Sequence, residues 1–153
     1  LKSDRNEVQT DISFFMNEVA TRGGVASMQT AGSGAAMDQG AALVRYAASA
    51  SGQVPMGLLL NDMVNLDLTR QHINQHKDEV QKGGKVTILR KGYVVTNNIE
   101  GATPTAGALC YPAHSGNISI SSTTVDDSGA DNIGRFLSTV DQDGYAKVEI
   151  NLP

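Results

Sequence analysis

Residues 133–152 read IGRFLSTVDQDGYAKVEINL and carry the clearest structural signal in the chain. Apolar and polar residues alternate over 145–152, as they do in a strand with one buried face. The apolar members, which would share that face, are Ala146, Val148, Ile150 and Leu152. Before this strand, DQDG at 141–144 provides a turn in which Gly144 can take a positive φ. The pattern predicts a β-hairpin formed by 133–140 and 145–152.

Upstream segments also have the composition of short strands. Residues 85–96 are rich in β-branched side chains, and Gly92 within them predicts a β-bulge. The other predicted strands, separated by turn residues, are 25–28, 41–47, 54–60, 63–68, 108–111 and 117–121. Residues 69–84 are predicted to form a short helix or an irregular polar excursion. Many short strands at a spacing of about ten residues predict a mainly β fold, as a compact β-barrel or sandwich.

Residues 1–22 differ from the body that follows them. They are polar apart from one compact apolar cluster, which consists of Ile12, Phe14, Phe15, Met16 and Val19. The i to i+4 spacings in this cluster fit a short amphipathic helix capped by Thr10 or Asp11, which would be marginal alone. We therefore predict an N-terminal arm over 1–22, extended or short-helical, and a β-rich domain over 23–153. The segment either packs on its own domain or docks on another subunit.

Charge and composition exclude several function classes. The 153 residues include 12 basic and 16 acidic side chains, for a net charge of -4. This chain lacks the clustered positive charge that nucleic-acid binding requires. No apolar run approaches the roughly 18 residues of a membrane helix, and the polar start is unlike a signal peptide. The single Cys110 cannot form an internal disulfide and is expected to be a small core residue. We therefore expect no nucleic-acid and no membrane partner.

Five motifs were weighed as sites of chemistry, and each is incomplete. HINQH at 72–76 places two His four residues apart but offers no third zinc ligand. DQDG at 141–144 lacks the rest of a calcium loop, and GSGAAM at 32–37 lacks the third glycine of a dinucleotide fingerprint. The His-Ser pair at 114–116 and the acidic residues of 126–131 are typical of surface turns and loops. We expect no catalytic residue, no metal and no cofactor.

Several turn and strand signatures occur together in a fixed order. They are VPMGLLL at 54–60 with DLTR at 67–70, GYVVTN at 92–97, PTAG at 104–107, and IGRFLS at 133–138 with DGY at 143–145. This pattern spans about residues 23–153 behind a polar arm. It resembles the capsid decoration (cement) proteins of tailed bacteriophages.

The resemblance implies a structural virion protein rather than an enzyme. Such a protein, made in the bacterial host cytoplasm, binds the exterior of the mature head and stabilises capsomer contacts. The implied partner is the major capsid protein, and the implied form is a homotrimer. Within this role we predict that the arm binds the capsid, with aromatic side chains at the energetic centre. The predicted capsid-binding residues are Ile12, Phe14, Phe15, Met16 and Val19.

A second interpretation uses the same β-rich body. A phage head-fibre or tail-associated β-module would bind host-surface glycans instead of the capsid. That function would favour exposed aromatic side chains on the body, where the chain has no Trp. The aromatic residues available there are Tyr46, Tyr93, Tyr111, Tyr145 and Phe136.

Overall fold

The computed structural model describes Leu1 and residues 4–29, 43–49, 52–62, 66–67, 72–73, 79–80, 85–121 and 132–152. Nearly all of its regular structure is β-strand, which confirms the prediction of a mainly β fold. In chain order the strands are β1 (Asn6–Met16), β2 (Ala20–Thr21), β3 (Val25–Met28), β4 (Leu43–Arg45), β5 (Pro55–Asp62), β6 (Leu66–Asp67), β7 (His72–Ile73), β8 (Glu79–Val80), β9 (Lys85–Thr96), β10 (Leu109–Pro112), β11 (Ile118–Ser119), β12 (Gly134–Phe136) and β13 (Ala146–Asn151). Among the described residues, a 3-10 turn covers His114–Gly116. No helix in the described part of the chain has the length and apolar character needed to span a bilayer.

Nine strands form one large sheet in the order β1-β4-β3-β5-β9-β13-β12-β10-β11. Because β1 pairs with β4 and also with β9, the strands β1, β4, β3, β5 and β9 form a closed circuit of pairings. The other four strands extend the sheet from β9. Two small sheets pair β2 with β8 and β6 with β7, and an isolated parallel bridge joins Ile99 and Ile118.

Strand β9 organises the sheet because it pairs with three other strands. Residues 86–89 of β9 pair with β5, and residues 91–96 pair with β13. Strand β1 runs antiparallel to β9 from Lys85 to Tyr93. The predicted strand over 85–96 has the bounds of β9 and is confirmed.

Two apolar clusters lie on opposite sides of β3, β5 and β9. Within β5, Leu58 and Leu60 belong to one cluster and Leu59 to the other. Within β9, Leu89 belongs to the first cluster and Ile88 to the second. A strand buried on both faces reads as a continuous apolar run rather than an alternating one, which explains the LLL at 58–60. The second cluster draws on the strands of the closed circuit, including β1, and on Val80.

The predicted C-terminal hairpin is confirmed. Strands β12 and β13 are antiparallel, with Phe136 opposite Val148. In the connecting turn, one carboxylate oxygen of Asp141 accepts the backbone N–H groups of Asp143 and Tyr145, each at 2.9 Å. Gly144 has a φ of +84°, as the turn requires. The DQDG motif therefore forms a hairpin turn.

The N-terminal segment is extended, which is one of the two predicted conformations. Residues Asn6–Met16 form an 11-residue strand in the main sheet. Phe14 and Met16 are both buried, and their spacing of two is the period of a strand. Ile12, two residues before Phe14, would share this buried face in a regular strand, but the bulge between Asp11 and Phe14 turns it outward. The division into an arm over 1–22 and a domain over 23–153 stays a prediction.

Segment 69–84 contains no helix at its described residues, which are the strands His72–Ile73 and Glu79–Val80. The helical interpretation is therefore wrong there, because these residues pair with β6 and β2. The rest of that segment lies outside the described residues, as do the motif at 32–37 and the acidic residues 126–131. The other predicted strands coincide with or overlap β3, β4, β5, β6, β10 and β11.

Candidate functional site

Three register shifts interrupt the pairing of β1 with β9, and two of them are bulges in β1 that each place an apolar side chain in solvent. Glu7 and Gln9 face the adjacent residues Gly92 and Lys91, so Val8 is an extra residue on β1. Val8 is 70% exposed. Bulges re-aim side chains and are common beside functional sites.

The second bulge lies between Asp11 and Phe14, which pair with Ile88 and Val86 of β9. Ile12 and Ser13 therefore stand opposite a single β9 residue. Ile12 is 50% exposed although it is a large apolar side chain. We call Val8 and Ile12 the bulge residues.

A local hydrogen-bond arrangement fixes the second bulge. One carboxylate oxygen of Asp11 accepts the backbone N–H of Ser13 at 2.8 Å and its hydroxyl at 2.5 Å. The other oxygen lies 3.8 Å from Nη1 of Arg90. These hydrogen bonds, chiefly the one from the Ser13 hydroxyl, hold the pKa of Asp11 below its ordinary value. The arrangement favours a charged Asp11 and a bulge of defined shape.

Gly92 permits the first residues of β1 to approach β9. Its φ is +141°, and a Cβ at this position would lie 2.0 Å from the carbonyl oxygen of Asn6. No side chain could be accommodated there without moving β1. The predicted bulge at Gly92 thus corresponds to a close approach between two backbones, beside the Val8 bulge.

The C-terminal part of β1 is anchored in the body. Phe14 is 8% exposed and Met16 is fully buried in the second apolar cluster. Phe15 is half-buried, with the Lys85 ammonium 6.0 Å from its ring centroid. Parallel pairing with β4 begins at Phe15 and Met16. Val19, beyond the strand, is 59% exposed.

The segment after β1 is held by Tyr46, whose role the sequence did not reveal. Its backbone N–H donates to Glu18 at 2.8 Å, and its hydroxyl donates to the Thr21 carbonyl at 2.5 Å. The same hydroxyl accepts the backbone N–H of Gly24 at 2.9 Å. Burial raises the pKa of this phenol. The ring packs against Gly116, where a Cβ would lie 2.6 Å from Tyr46 Cγ.

A comparison with known protein families identifies the family of this chain. The family model for "Structural cement protein (E217 gp24/Pam3 gp6)", a phage family, matches residues 6–151. The chain belongs to this family. It is therefore a structural protein of the phage virion, associated with the capsid. A search of curated proteins found no match.

The structure separates the five residues predicted to bind the capsid in this cement protein. Ile12 and Val19 are exposed, Phe14 and Met16 lie in the core, and Phe15 lies between these extremes. Their role in capsid binding remains a prediction. The sequence analysis did not identify Val8, because it stands among polar residues and outside the apolar cluster. Its exposure to solvent becomes evident only from the bulge. No short-range signal could have found it, since a bulge depends on register with β9.

Outside β1, the surroundings of His114, Glu100 and Cys110 indicate structural roles for these three residues. His114 Nδ1 lies 2.8 Å from a Glu100 carboxylate oxygen, and this hydrogen bond is the main cause that lowers the pKa of Glu100. Cys110 is fully buried, as predicted, and burial raises the pKa of its thiol to about 12.

Among the described residues, no group of three His, Cys, Asp or Glu is placed to hold a metal ion. His76 of the HINQH motif, which was not expected to bind a metal, lies outside those residues.

Proposed function

We propose that this cement protein binds the outer surface of the mature phage head and stabilises contacts between capsomers. Its partner would be the major capsid protein. The observation that carries the proposal is the pair of bulges that expose Val8 and Ile12 on a strand anchored by Phe14 and Met16. Both residues lie on one strand, and exposed apolar surface bordered by polar residues is typical of interaction sites.

The proposal divides the work among the residues of β1. Phe14 and Met16 hold the strand to the body, and this packing is already present in the free protein. Val8 and Ile12 contact the capsid, and Val19 extends the contact beyond the strand. Phe15, half-buried beside Lys85, borders the two groups. A rigid strand that presents its contacts loses less entropy on binding than a disordered arm would.

Stabilising a capsid needs many weak contacts that act together. We propose a homotrimer at local three-fold axes, because three linked copies convert a modest contact into high avidity. The family relationship supports the structural role. Light scattering on the purified protein would distinguish a trimer from a monomer.

The glycan-binding alternative receives no support from the aromatic side chains. All three Phe and four Tyr lie among the described residues, and none of them is exposed. Phe136 is fully buried, and the Lys147 ammonium covers the ring of Tyr93 at 4.0 Å from its centroid. A sugar platform requires an open aromatic face, so these residues favour the cement function.

Co-sedimentation with undecorated, expanded heads of the phage that encodes the protein tests this function. The wild type should bind saturably at a copy number set by the capsid symmetry. The double variant Val8→Ser/Ile12→Ser should bind much more weakly. Val54→Ser is the matched control, since Val54 is 55% exposed before β5 and outside β1.

Each outcome of this experiment has a definite meaning. Failure of the wild type to bind would refute the cement function as proposed. Normal binding by the double variant would refute the role of the bulge residues. Deletion of residues 1–22 is a poorer test, because it would also remove Phe14 and Met16 from the core. Heating decorated and bare heads and measuring DNA release would then test stabilisation.

A further inference from the structure

The charged side chains of residues 4–11 are paired within the chain. Arg5 Nε lies 2.9 Å from a Glu7 carboxylate oxygen. The Asp4 carboxylate lies 3.6 Å from the Lys147 ammonium, which reaches it from β13. These two pairs are situated at the start of β1, before and beside the Val8 bulge.

The other two charged residues of this segment, Asp11 and Glu18, accept hydrogen bonds within the chain. Asp11 interacts with Ser13 and with Arg90 of β9. The Glu18 carboxylate accepts the backbone N–H of Tyr46. Every charged residue described between 4 and 18 thus has an internal partner.

Internal pairing changes what the surface offers to another protein. Exposed ion pairs add little stability, but they cancel the local field that would attract an oppositely charged partner. A charged group placed against them would have to lose its own hydration without gaining a free counter-ion, which is costly. Val8 and Ile12, by contrast, gain by leaving water. The centre of a protein interface is depleted in charged residues for the same reason.

We propose that the bulge residues dock on an uncharged, apolar patch of the capsid protein. This inference rests on the proposed function and specifies its partner surface. Attachment is then driven by burial of Val8 and Ile12, with the ion pairs of residues 4–11 beside them. The bulge held by Asp11 and Ser13 fixes where Ile12 enters the patch.

A matched pair of charge variants tests the chemistry of the patch. Arg5→Gln removes one positive charge and Glu7→Gln removes one negative charge from the same exposed pair. Against an uncharged patch, the two variants should bind expanded heads within about twofold of each other. A charged patch would shift the two affinities in opposite directions, and a separation beyond about threefold would overturn the proposal.

A salt titration of the wild type gives a second, independent measurement. Raising NaCl from about 50 mM to about 500 mM shortens the screening length severalfold. Binding should stay constant or strengthen slightly, because burial of apolar surface does not depend on screening. A steep loss of binding would overturn the uncharged patch. If the Val8→Ser/Ile12→Ser variant still binds poorly in that case, the proposed function stands and only this inference fails.

Discussion

Replacing Phe14 with Ala tests whether β1 belongs to the folded body of the free protein. Phe14 is 8% exposed and lies in a cluster that includes Met16, Val44, Leu59 and Val86. These neighbours come from strands separated widely in the sequence. If β1 is docked as the structure shows, Phe14→Ala leaves a cavity at the junction of these strands.

The magnitude follows from burial. Truncating a buried Phe to Ala costs about 3–5 kcal/mol of unfolding free energy. Ile12 is 50% exposed, so Ile12→Ala should cost about 1 kcal/mol or less. The difference is at least about 2 kcal/mol, which at this chain length separates the two melting temperatures by about 4–8 °C.

Thermal melts of the purified variants, followed by circular dichroism, measure this difference directly. Wild type and Ile12→Ala should melt close together, and Phe14→Ala should melt well below both. Equal melting temperatures for the two variants would show that β1 does not pack on the body in solution. Residues 1–22 would then be a detached arm that orders only on the capsid.

Three further predictions concern the supports of β1. Gly92→Ala should loosen the start of β1, because the new Cβ would meet the Asn6 carbonyl oxygen. Amide hydrogen exchange over residues 6–10 should therefore accelerate. Unchanged protection of these amides from exchange would contradict the close approach of the two backbones. Asp11 has a lowered pKa, so its charged form stabilises the fold above its ordinary value of 3.8, and this contribution is lost as pH falls through the depressed value. Urea midpoints should therefore fall with acid more steeply in wild type than in Asp11→Asn, and identical slopes would refute the Ser13 hydrogen bonds as the cause. Tyr46→Phe leaves the Thr21 carbonyl and the Gly24 N–H without the hydroxyl they contact. The unfolding free energy should fall by about 1–3 kcal/mol. An unchanged urea midpoint would show that the hydroxyl contributes nothing to stability.

Local patterns in the sequence were sufficient for much of the β structure. The bounds of β9 and the hairpin of β12 and β13 follow from alternation, β-branched residues and the turn ending at Gly144. Each of these features depends on neighbours in the chain. The buried Cys110 was likewise predictable from composition and residue type.

The conformation of the N-terminal segment could not be predicted from local sequence, because it depends on tertiary pairing with β9. The spacing of Ile12 and Met16 fits a helix as well as a strand, because residues four apart share a face in both. The bulge at Ile12 and Ser13, which turns Ile12 outward, depends on the register of β1 with β9. Docking of β1 on β9 joins residues about eighty positions apart, which is a tertiary effect on local preference. The packing of Tyr46 was not predictable from local sequence, because its glycine partner, Gly116, is also distant in the chain.

A cryo-electron microscopy map of expanded heads saturated with the purified protein tests the central claim most directly. The account predicts copies on the outer surface at symmetry-related positions, with Val8 and Ile12 within about 4.5 Å of apolar capsid atoms. Phe14 and Met16 should remain in the core of each copy. A map in which β1 faces solvent, while another surface contacts the capsid, would contradict the account.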